Sequence, residues 1–104
     1  MSLSIRISPK VSQYLDDLFQ YLVRENKNIA LKFFDSSREI IALLAQMPNL
    51  GKSCQFAHPK LKGLRQYRVK DFNKFFIFYF YTDNLLIIVR VIQGNRDIET
   101  ILNR

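Results

Sequence analysis

His58 is the only histidine of the chain, and no other side chain has an ordinary pKa near neutrality. It can in principle donate or accept a proton. Cleavage of a phosphodiester also needs cations to offset the charge developing on phosphorus. Such cations lie close by in sequence: Lys52, Lys60, Lys62, Arg65, Arg68, Lys70 and Lys74 surround His58, with Asp71 as the one acidic residue between positions 52 and 74. That stretch holds six of the chain's seven net positive charges. A localised basic stripe attracts nucleic acid or an acidic protein partner, and it equally serves as a solvated face. A lone histidine in a loop of glycine and proline is more often a polar loop residue than a catalyst.

Two further arginines stand out. Arg90 lies inside an otherwise apolar run, where burial would demand a carboxylate partner such as Asp71 or Asp97. Arg96 follows Gly94 at a strand exit, where a guanidinium can bind phosphate or a partner's carboxylate. The aromatic run Phe75, Phe76, Phe78 and Phe80 reads as core, because base-stacking aromatics normally sit among exposed basic residues. No cofactor motif or metal-ligand spacing is present. A single cysteine, Cys54, allows no internal disulfide, and no signal peptide or membrane span is legible, so a cytoplasmic protein without membrane contact is expected.

The elements that position these residues follow from periodicity. With 104 residues the chain is expected to form one domain over 1–104. Leu3 to Ile7 alternates as a short strand. Ser8-Pro9 signals a helix start, followed by Val11, Leu15, Leu18 and Leu22 at helical spacing, widened by Tyr14 and Phe19. Asn28 can cap a second helix whose buried stripe is Ala30, Phe33, Phe34, Ser37, Ile40, Ile41 and Leu44, stopped by Pro48. Asn49 to Gly63 reads as a loop. Leu64 to Lys70, Phe75 to Tyr81 and Leu85 to Ile92 read as strands, the last two joined at Asp83 and Asn84. Asp97 to Leu102 can add a helical turn. The predicted class is α+β, in the order β-α-α-β-β-β, with a helical hairpin on one face of a mainly antiparallel sheet.

That order resembles the RelE/ParE superfamily of type II toxins, and particular residues sharpen the likeness to its ParE branch. They are Pro59-Lys-Leu-Lys-Gly-Leu-Arg65, the strand Phe75-Phe-Ile-Phe-Tyr-Phe80, and Arg90-Val-Ile-Gln-Gly-Asn-Arg-Asp97. Gln93 stands where that branch usually has histidine. The resemblance implies a growth-arresting toxin neutralised by a cognate antitoxin, whose acidic or amphipathic C-terminal tail covers a groove on the toxin. In the ParE branch the target is DNA gyrase; in the RelE branch it is messenger RNA on the ribosome. A decayed, non-toxic interaction module is a third possibility.

RelE-type cleavage, if carried over, would fall on Arg96, with Arg68, Lys70 and His58 as further candidates. The RelE arginine that begins the penultimate strand aligns with Phe76, however, and the C-terminal tyrosine with Leu102. Neither can stabilise a phosphorane or move a proton, so the resemblance implies no catalytic residue. It implies a surface of Arg90, Arg96, Lys60, Lys62, Arg65 and Arg68 for the target or the antitoxin, with neither cofactor nor metal.

Overall fold

The computed structural model describes residues 2–94 and 102. Strand β1 (Ser4–Ile7) leads into helices α1 (Pro9–Glu25) and α2 (Lys27–Gln46), and then β2 (Lys52–Ser53), β3 (Arg65–Val69), β4 (Phe72–Tyr81) and β5 (Leu85–Gln93) follow. Among the described residues the strands form one sheet in the order β1-β5-β4-β3-β2. Its three hairpin-type pairings are antiparallel, and β1 runs parallel to β5. The expected helical hairpin on a mainly antiparallel sheet is therefore present, with one strand more than the sequence suggested.

Local chemistry sets the helix ends. The Ser8 hydroxyl accepts the Val11 N–H at 3.2 Å, and Pro9 opens α1 where no N–H is needed. Asn26, not Asn28, caps the second helix: its side chain accepts from the N–H groups of Asn28 (3.0 Å) and Ile29 (3.2 Å). The same residue's N–H donates to Leu22, so one extended residue ends α1 and begins α2. Asn28 is already helical and supplies a donor that needs capping. After α2, Pro48 starts a short 3-10 turn.

The core lies between the hairpin and the sheet. Val11, Phe33, Ile40, Ile41, Leu44 and Ala45 from the helices meet Val69, Ile77, Tyr79, Leu86, Ile88 and Val91 from the strands. Phe33 joins the layers through edge-to-face contacts with Phe72 and Phe75, each at 5.0 Å. Leu15, Leu18 and Leu22 pack against this core as their spacing predicts. Phe34 departs from the expected stripe. It is 47% exposed, with Phe19 at 5.8 Å on one side and the Arg38 guanidinium over its ring. A helical stripe this wide exceeds what one sheet can cover, so Phe34 falls at its margin.

The second face of the sheet is covered too. Leu61, Leu64, Phe78 and Ile92 form a smaller buried cluster, joined by Cys54, Phe56, Phe76, Phe80, Val89 and Leu102. The segment expected to be a featureless loop supplies this lid. It contains β2 and a 3-10 turn, Pro59–Leu61, whose Leu61 is buried while its flanks Lys60 and Lys62 are exposed.

Candidate binding surface

Strand alternation sorts the basic residues by face. On β3, Arg65 pairs with Tyr79 and so shares the helix side, whereas Arg68 pairs with Phe76 on the opposite side. Arg65 is engaged in holding the fold. Its guanidinium donates to the carbonyls of Gly51 (2.5 Å) and Asn49 (3.3 Å) and lies over the ring of Tyr81. The same segment is pinned from below by buried Tyr79, whose hydroxyl donates to the Pro48 carbonyl at 2.7 Å and accepts the Gly51 N–H at 2.9 Å. Burial, partly countered by the Gly51 hydrogen bond and by Arg65, pushes the Tyr79 phenol above its ordinary pKa.

Arg68 is exposed, with its guanidinium 5.6 Å from the centroid of the Phe76 ring. Arg90 pairs with Phe78 across β4 and β5, so its side chain leaves the sheet on the same face as Arg68 and Phe76. The register shifts there: Phe78 opposes Arg90 but Tyr79 opposes Ile88, which leaves Val89 as an extra residue on β5. Without the bulge Arg90 would point into the helix-side core. It is instead half-buried. Asp71, one carboxylate expected to pair with Arg90, turns away at the β3–β4 hairpin with φ 68° and lies 3.9 Å from Lys32. Asp97, the other, and Arg96, the strongest of the sequence candidates, lie outside the described residues.

The face away from the helices thus brings together Arg68, Arg90 and Phe76, with Lys60 and Lys62 exposed on the lid above its buried cluster. It does not bring in Arg65. His58, an acid or base candidate by its chemistry, caps the 3-10 turn: its Nδ1 accepts the Lys60 N–H at 3.1 Å. Phe76 and Leu102 pack on the same apolar cluster. Lys70 is exposed beyond the end of β3. Cys54, itself part of the lid, is half-buried against the small cluster, and burial raises its thiol pKa, a shift that Lys52 partly offsets. Among the described residues no three His, Cys, Asp or Glu side chains converge as metal ligands, and no helix is long and apolar enough to cross a membrane.

Sequence reasoning missed the outer edge of β3. Beside it runs a groove of 680 Å³ lined by Ile40, Leu43, Leu50, Lys52, Gln66–Lys70 and Phe76. Its walls come from α2, the 48–52 segment and two strands, so no local pattern could have announced it.

Comparison with known proteins agrees with this architecture. The family model described as ParE toxin of type II toxin–antitoxin system, parDE, matches residues 5–98. A solved structure titled as the chromosomal ParDE TA system from P. aeruginosa superposes with a TM-score of 0.68 at 22% identity, covering 88% of this chain and 96% of that one. At that identity it attests the fold. No curated protein matches.

Proposed function

This chain belongs to the ParE toxin family of type II toxin–antitoxin systems, and from that premise we propose that it arrests growth by docking on DNA gyrase, with a cognate antitoxin masking its docking surface. The observation that carries this reading is the packing of Phe76 and Leu102 into one apolar cluster. These are the positions at which a RelE-type ribonuclease would place an arginine and a tyrosine. Hydrocarbon there offers no charge for a phosphorane and no proton for a leaving oxygen. His58 has a structural role in this reading, as the cap of the 3-10 turn whose Nδ1 accepts the Lys60 N–H.

What remains is recognition chemistry. Arg68 and Arg90 flank phenylalanine on one sheet face, and guanidinium groups beside aromatic rings are frequent anchors at protein interfaces. Arg96 extends that reading at the exit of the last strand. The antitoxin partnership follows from family membership and from the net charge of +7, which favours an acidic partner.

Expression of the chain with and without its antitoxin, combined with a gyrase supercoiling assay on the purified protein, tests the proposal. Growth arrest relieved by the antitoxin, with inhibited supercoiling, is the expected result. Growth arrest with gyrase unaffected would sink the target, and a harmless chain that still binds an antitoxin would be an interaction module only.

A further inference from the structure

A second cavity, of 310 Å³, opens where the end of β1 meets the helical hairpin, at the edge of the sheet farther from β3. Its apolar walls are Ile7, Leu15 and Ile41 together with three rings, Phe19, Phe33 and Phe34. The helices do not close over it. Phe34 is 47% exposed and Ile7 38% exposed, although both are large and apolar. Phe19 and Phe34 stand edge-to-face there, with ring centroids 5.8 Å apart.

Polar groups in this cavity are few. Ser37 is buried, with only 6% of its surface exposed. Among the described residues its hydroxyl is the one buried side-chain oxygen or nitrogen without a hydrogen-bond partner. An orphaned hydroxyl in the interior is costly, and its presence calls for a cause. It can be re-aimed by rotation about a single bond, and it serves as donor or acceptor alike. Asp16 and Arg38 also line the cavity, from exposed positions. Neither takes part in the one ion pair of the described residues, Lys32 with Asp71. Their opposite charges favour neither an anion nor a cation at the mouth.

Ligand sites span about 300–1,000 Å³, so this cavity has room for one ring with a short substituent. Aromatic walls favour a flat aromatic guest, which they can meet edge-to-face. Ser37 adds a demand that hydrocarbon cannot meet, because an aliphatic guest would fill the space and leave the hydroxyl unpaired. We propose that the cavity binds a small uncharged phenol, with its ring against Phe19, Phe33 and Phe34 and its hydroxyl paired with Ser37 Oγ. The guest also covers the exposed flanks of Phe34 and Ile7. This site shares no residue with the face that carries Arg68 and Arg90, and it does not depend on the gyrase reading.

Two probes that differ only in the ring hydroxyl test the proposal: tyrosol (para-hydroxyphenethyl alcohol) and phenethyl alcohol. Each is titrated into the full chain and followed by NMR on the methyl groups of Ile7, Leu15 and Ile41. Tyrosol is expected to shift these methyls and to bind about tenfold more tightly than phenethyl alcohol. Ser37→Ala is expected to reduce that preference to within about twofold. The variant should melt no lower than the unmodified chain, because it loses a hydroxyl that had no partner. A variant of clearly lowered stability would show the hydroxyl already satisfied. Equal affinity of the two probes for the unmodified chain, a comparison that needs no variant, would show it unused. Either result overturns the proposal, as does the absence of methyl shifts at millimolar tyrosol.

Discussion

The guanidinium of Arg68 lies 5.6 Å from the ring centroid of Phe76, on the sheet face that the helices leave open. The pair joins a charge that can recognise a carboxylate to an aromatic surface that can exclude water from it. Arg68 itself is exposed, so its contribution to folding is small. An exposed cation–π contact contributes about 0.5–1 kcal/mol. Arg68→Ala is therefore expected to cost no more than about 1 kcal/mol in urea denaturation while weakening antitoxin binding measured by calorimetry. A loss of several kcal/mol would place Arg68 in the scaffold instead.

Gly51 is glycine for reasons of space. Its φ is −69°, which any residue adopts, but a Cβ there would sit 2.2 Å from the Tyr79 hydroxyl. Gly51→Ala should destabilise the chain by about 1–3 kcal/mol. Tyr79→Phe should cost about the same, since it leaves the Gly51 N–H and the Pro48 carbonyl without their partner. Phenylalanine keeps the ring carbons that lie 2.7 and 2.8 Å from such a Cβ, so Gly51→Ala should still destabilise the Tyr79→Phe chain. A Tyr79→Phe chain whose stability is unchanged by adding Gly51→Ala would refute the steric explanation from the ring.

Toxicity should depend on the exit of the last strand. Arg96→Ala is expected to reduce growth arrest several-fold with a cooperative thermal transition retained, and truncation after Gly94 should act in the same direction. A truncated chain of full potency would remove the tail from the docking surface.

The Cys54 thiol offers a pH test of the lid. Burial raises its pKa in the folded chain and Lys52 only partly compensates, so the reactive thiolate forms at higher pH than in an unfolded peptide. Iodoacetamide labelling should be slow at pH 8, accelerate above the ordinary thiol range, and become fast at pH 8 once the chain is unfolded in urea. Equal rates in the folded and unfolded chain would mean that packing of the lid does not bury the Cys54 thiol.

Much of this fold is legible in the residues. Serine before proline marks α1, and the aromatic and β-branched runs around Asp83 and Asn84 mark the β4–β5 hairpin. What escaped depends on register and on distant contacts. The bulge at Val89 decides which face carries Arg90, yet a nearly continuous apolar strand gives no alternation from which to read it. Arg65 and Arg68 look equivalent in a basic stripe, and strand pairing sends them to opposite faces. The two residues of β2 are too few to announce a strand, and their brevity is what opens the edge of β3. Asn26 and Asn28 are both plausible caps on composition, and the shorter inter-helix connection selects the first.

The central claim is that this surface docks and does not cleave. Mapping the 5′ ends of translated messages by primer extension, after adding the purified chain to a translating extract, tests it most directly. The account predicts message ends identical to those without the protein. New ends at the codon in the ribosomal decoding site, lost on Arg96→Ala, would contradict it.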